Sequence, residues 1–134
     1  FYMLAYNLLF ITSYTHQKER RMRGINMPKC KITVIKKNYF PELAQSYCKN
    51  PEVGSCHVFQ EGFETIIDRE AYFSMTIPGG LCSEAWHAIS HYVYTAIQGG
   101  SLMEGWMNRK DVMIACCNDG VRPVVFKIER IDES

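Results

Sequence analysis

The sequence has no glycine-rich phosphate loop, no dinucleotide fingerprint and no G-x-S-x-G elbow, so nucleotide-dependent and α/β-hydrolase chemistry have no motif to rest on. Its carboxylates form no recognisable catalytic pair, and Glu84, Glu129 and Asp132 read as solvated or dipole-complementing residues. Charge of one sign is also lacking. Fifteen Lys and Arg face 14 Asp and Glu for a net charge of +1, so no basic footprint covers the chain and no nucleic-acid partner is expected. The apolar run Phe1–Tyr14 falls short of the roughly 20 residues that span a bilayer. Its basic cluster, Lys18 to Arg23, follows the apolar run, whereas a secretory signal places it before. With no membrane partner and no secretory signal expected, the six cysteines do not read as an extracellular disulfide framework, and the expected location is the cytoplasm.

What is present is enough for one small core. At 134 residues with 47% hydrophobic content, the chain suits a single domain. Residues 27–134 are expected to form it. Residues 1–26 are expected to be upstream reading-frame sequence or a disordered extension, because Arg23-Gly24 just before Met27 is what a purine-rich ribosome-binding site would encode.

Alternation over Cys30–Lys37, with Cys30, Ile32 and Val34 on one face, predicts a half-buried strand. Pro41 suits the first turn of a short helix, Pro41–Tyr47, and Lys49–Gly54 reads as a loop. Phe63–Asp68 mixes aromatic and β-branched residues and predicts a second strand. The main helix is predicted over Ser83–Gln98, with Ser83 as N-cap, Gly99-Gly100 as the stop, and Trp86, Ile89, Val93, Ala96 and Ile97 as its apolar stripe. The chain ends in a predicted hairpin, Val112–Cys117 and Val121–Ile131 around Asn118-Asp119-Gly120. A three-residue turn with glycine in the left-handed position sets Cys116 opposite Arg122, Ile114 opposite Val124 and Val112 opposite Phe126. The fold class is therefore α+β: a small antiparallel sheet with a C-terminal hairpin and one main helix packed on one face. Strand order is open, and an exposed strand edge would allow a homo-oligomer that no residue demands.

From Met27 onward the chain also resembles a family of small, cysteine-containing conserved hypothetical proteins of prokaryotes. The likeness is carried by Lys29–Val34, Gly54-Ser55-Cys56-His57-Val58-Phe59, Pro78–Ser83 leading to Ala85-Trp86, and above all the block Ile114–Arg130, with Cys116-Cys117-Asn118-Asp119-Gly120-Val121-Arg122-Pro123 at its centre. His57 stands where that family carries proline. The resemblance implies weight for the cysteine blocks and brings no activity with it.

Three constellations can carry chemistry. A thiolate-bound metal such as zinc would draw on Cys56, Cys82, Cys116 and His57, with His87 and His91 at the i,i+4 spacing of a helical ligand pair. Against it, no C-x-x-C knuckle occurs, and adjacent strand residues such as Cys116 and Cys117 point to opposite faces. The two histidines read better as a solvated helix face. The second constellation is a reactive thiol. Cys116 would have the Arg122 guanidinium across the hairpin to favour its thiolate, unless Asp119 captures that guanidinium. Cys82, beside a helix N-terminus, could join Cys116 in a reversible disulfide. Cys116, Cys82 and Arg122 are thus the candidate catalytic residues. The third is a small-molecule pocket of Trp86, Trp106, Tyr92 and Tyr94 around Gly99-Gly100, with Arg122 as anion anchor. The leading reading is a small thiol-bearing protein, redox-active or metal-binding. The alternative is a non-catalytic binding domain with structural cysteines, since free cysteine is among the most buried residue types.

Overall fold

A computed structural model of the protein describes residues 26–133; the expectations for the segment before Asn26 lie outside the described residues. The chain runs β1 (Lys29–Lys37), α1 (Pro41–Tyr47), β2 (Glu64–Ile67), α2 (Arg69–Ser74), α3 (Ser83–Ile97), β3 (Val112–Cys116) and β4 (Val124–Ile131). The strands form one antiparallel sheet in the order β2-β1-β4-β3. The long helix α3 packs on β4, β3 and β1. This is the expected α+β architecture.

Strand β1 follows its alternation. Cys30, Ile32 and Val34 are fully buried, while Lys31 and Thr33 turn to the face away from α3. There Lys31 pairs with Glu64 at 2.8 Å and Lys127 with Glu129 at 3.0 Å, solvated pairs that contribute little to stability. At Ile35 the register with β4 slips, Val34 pairing with Phe126 and Lys36 with Val125. The extra residue leaves Ile35 exposed, as a bulge does. Helix α1 carries its proline in the first turn as expected.

In α3 the buried positions are Ala85, Ile89, Val93, Ala96 and Ile97, the 3.6-residue stripe that meets Phe126, Ile128 and Ile32 of the sheet. Two details differ from expectation. The N-cap is Cys82, in extended conformation and without a side-chain cap bond, so Ser83 is already helical. Trp86 is half-buried, its ring 5.4 Å from that of Tyr72. The stop is as expected: Gly99 takes a φ of 79°, and Gly99 and Gly100 donate back to Ala96 and Thr95. Arg130 completes it, its Nη1 donating to the Gly99 and Gly100 carbonyls at 3.0 and 2.8 Å.

Helix α2 was not anticipated. Asp68 caps it by accepting the Ala71 N–H at 2.8 Å. It ends at Met75, whose φ of 58° makes it the one non-glycine residue with positive φ among the described residues.

The hairpin needs the largest correction. Cys116 pairs with Val125, Ile114 with Lys127 and Val112 with Glu129, three residues away from the expected register. The ladder closes with Cys117 N–H donating to Val124 at 3.1 Å, which leaves residues 118–123 as the loop. The Asp119 carboxylate dictates this, accepting the N–H groups of Val121 at 3.0 Å and Arg122 at 3.1 Å. Gly120 is not left-handed, and Pro123 has no N–H to offer the ladder. A shift by an odd number of residues exchanges the faces of a strand. Met113, Ala115 and Cys117 therefore pack toward α3, while Cys116 is exposed.

Candidate functional site

The end of the sheet beneath the α3 N-terminus gathers segments that are far apart in sequence. The hairpin loop is fastened to the exit of β1, where Asn38 donates to the Pro123 carbonyl and Phe40 to that of Val121, each at 2.9 Å. The loop before β2 is fastened to the same strand end, Gly62 donating to Val34 at 2.8 Å and Lys37 to the Glu61 carboxylate at 2.9 Å. The first turn of α3 joins them, because Asn118 N–H donates to the Glu84 carbonyl at 3.3 Å. Each of these segments carries cysteine: Cys56 before β2, Cys82 at the α3 N-cap, and Cys116 with Cys117 at the end of β3.

Three of the four, Cys56, Cys82 and Cys117, are half-buried against the same apolar core. Cys117 Sγ accepts the Val124 N–H at 3.4 Å. Cys116 alone among the free cysteines is exposed. Its strand neighbour is Val125. Arg122 is not its partner: the guanidinium lies within the loop, its Nε donating to Asp119 at 3.1 Å. The competing capture by Asp119 is therefore what the loop adopts, and the expected Arg122 assistance to Cys116 is withdrawn. For Asp119, burial opposes ionisation, but the N–H groups of Val121 and Arg122 and the guanidinium outweigh it and hold the carboxyl below its usual range.

The metal reading fails on geometry. No group of three or more His, Cys, Asp or Glu side chains is positioned to hold an ion among the described residues. Cys56 packs inward while His57 beside it is exposed, and Cys116 faces out while Cys82 faces the core. The shifted register turns Cys116, and exposure takes His57, away from the core that Cys56 and Cys82 face. His87 and His91 are exposed.

The expected aromatic pocket at Gly99-Gly100 is not formed either. The glycine carbonyls are occupied by Arg130, and Arg122 belongs to the opposite end of the sheet. Trp106 is 76% exposed in the connection before β3. Trp86 and Tyr94 turn instead toward α2, each within 6 Å of the Tyr72 ring, at 5.4 and 5.6 Å. Sequence reasoning missed Cys117, whose face hung on the hairpin register, and α2, which Asp68 and Glu70 signal as an N-cap and an acidic first turn.

No family model, curated protein or solved structure matches the chain. Among the described residues no helix is long and apolar enough to cross a membrane.

Proposed function

We propose that the protein is a small cytoplasmic thiol protein that cycles between dithiol and disulfide forms, and that it belongs with the prokaryotic cysteine-containing family its sequence resembles. The observation that carries the reading is the gathering of Cys56, Cys82 and Cys117 against one core at one end of the sheet, from three segments joined there by backbone hydrogen bonds. Of the blocks that carry the resemblance, the one around Cys56, the Cys82-Ser83 end of the next and the Cys116–Pro123 centre of the last lie at that end too. Cys82 and Cys117 take the roles first assigned to Cys82 and Cys116, because the register turns Cys117 toward the helix.

The oxidant is a low-molecular-weight disulfide. One protein thiolate attacks a sulfur of the small disulfide and expels one small thiol. A second protein thiolate then attacks the protein sulfur of the mixed disulfide and expels the other. The protein loses two hydrogens, and two small thiols carry them away; the same small thiols in excess reverse both exchanges and restore the dithiol, giving back the small disulfide. Cys116, exposed on the other face, is the site at which a mixed disulfide would persist unresolved.

Incubation of the reduced full chain with oxidised glutathione tests this, read by intact mass and by peptide mapping. The expected product has lost two hydrogens, with a link between two of Cys56, Cys82 and Cys117. A product bearing glutathione on Cys116 alone, or no product, refutes the cycle and leaves the cysteines structural, as a non-catalytic binding domain requires.

A further inference from the structure

Helix α2 rests Ala71 and Tyr72 against the core and leaves Phe73 exposed beside Glu70 and Ser74. Phe73 is 58% exposed, and Tyr94 of α3 beside it is 44% exposed. The rings are in mutual contact, Phe73 with Tyr72 at 5.3 Å and with Tyr94 at 6.3 Å, so the surface is continuous. Exposed apolar surface of this kind, rimmed by polar groups, marks a binding face. Beside Phe73 opens a groove of about 710 Å³ between the start of β1 and the N-terminus of α2.

The charge of that groove indicates what fits it. Its charged walls are Lys29 and Arg69 against Asp68, Glu70 and Glu133, two cations against three carboxylates. Both cations are engaged. Lys29 pairs with Glu133, while Arg69 donates to Gln98 at 2.9 Å with its guanidinium 5.2 Å from the Phe73 ring centroid. Glu70 forms no ion pair among the described residues. Asp68 spends one oxygen on the Ala71 N–H and forms no close ion pair among them, although its charge reaches Lys29. An acidic rim around an aromatic platform repels phosphates, anionic headgroups and acidic peptides, and attracts a cation carried on an apolar stem.

We propose that the α2 face docks a basic, amphipathic peptide segment of a partner protein. A Lys or Arg of that segment meets Glu70 and Asp68, and its apolar side chains cover Phe73 and Tyr94. This site is independent of the thiol cycle.

The test is fluorescence anisotropy of the full chain with a labelled peptide alternating Leu and Lys, against the same peptide with Glu replacing Lys. Phe73→Ala and Glu70→Lys change exposed side chains, and circular dichroism verifies that each variant is folded. The Lys peptide is expected to bind with an affinity that falls as salt rises, and each variant to weaken it about tenfold or more, the loss typical of an interface anchor. Binding unchanged in both variants, equal binding of the Glu peptide, or no binding of the Lys peptide at millimolar concentration overturns the proposal.

Discussion

Raising the pH should destabilise this protein through one thiol, and removing that thiol should reverse the ranking of parent and variant. Cys30 lies in β1 with no solvent exposure. Burial, reinforced by the charge of Glu129 and opposed by a backbone hydrogen bond there, pushes its thiol from 9.0 up to about 12. In the unfolded chain the thiol ionises near 9, so below that pH both states are protonated and the contribution is intact. Above it the unfolded chain releases a proton that the folded chain retains, and stability falls by about 1.4 kcal/mol per pH unit until the folded thiol ionises too. Between pH 9 and pH 10.5 the loss is about 2 kcal/mol. Cys30→Ala removes this slope at the expense of a small cavity, about 1 kcal/mol at neutral pH. Urea unfolding of both proteins in reductant, at pH 7.5, 9.0 and 10.5, should find the parent more stable by about 1 kcal/mol at the lowest pH and less stable by a similar amount at the highest. Other cysteines, tyrosines and lysines titrate in both proteins, so the difference isolates Cys30. A gap that stays constant over that range refutes the burial argument.

Arg130→Ala should cost about 2 kcal/mol, since it removes charge-assisted bonds to the Gly99 and Gly100 carbonyls just past the end of α3. A thermal melt should show Tm falling by roughly 8–16 °C, with part regained in Arg130→Lys. Asp119→Ala strips the hairpin loop of the acceptor for two N–H groups and a guanidinium and should cost about 1–2 kcal/mol at pH 7. Because the folded carboxyl lies below its usual 3.8, that difference should be full above the unfolded value and shrink as acid titration passes below it, as urea midpoints across pH 2–6 would show. Alkylation of the folded chain by iodoacetamide at pH 8, followed by mass mapping, should mark Cys116 first and Cys30 last. At a pKa of about 12 only about one Cys30 thiol in ten thousand is thiolate at that pH. Equal labelling of Cys116 and Cys117 would contradict the observed register.

Where a segment's own side chains decide its conformation, the sequence was sufficient. Cys30, Ile32 and Val34 alternate because one face of β1 is buried, and Ile89, Val93, Ala96 and Ile97 recur at helical spacing because α3 has one face on the sheet. Pro41 and Gly99 set a helix start and stop by backbone stereochemistry alone. The hairpin defeated the same reasoning because two local chemistries compete for Asn118-Asp119-Gly120. A left-handed glycine would have made a tight turn, whereas Asp119 bonding forward to Val121 and Arg122 makes a wider one. Hydrophobicity gave no vote between them, since Val112, Ile114, Val121, Val124 and Val125 offer an apolar side chain in either register. The candidate site inherits that ambiguity. Cys116 and Cys117 are adjacent, and a displacement of three residues decides which of them meets the helix.

The same displacement turns the two cysteines to opposite faces of β3, and the length of α3 separates both from the aromatic face. Cys82 caps the start of α3, whereas Gln98 at its far end holds Arg69, and Tyr94 near that end meets Phe73. At about 1.5 Å per residue, the helix puts roughly 20 Å between the thiols and the carboxylate rim formed by Asp68 and Glu70. An ion pair at that rim is beyond two screening lengths from Cys82 at physiological salt, so charge alone does not couple the sites. Only a shift of α3 as a body could, and Ala85, Ile89, Val93 and Ala96, all fully buried against the sheet, resist one through close packing. Cys82→Ser should therefore abolish the internal disulfide to Cys82 while leaving peptide affinity intact, and Phe73→Ala should do the reverse. A single substitution that removed both would require α3 to move as a unit between two packings.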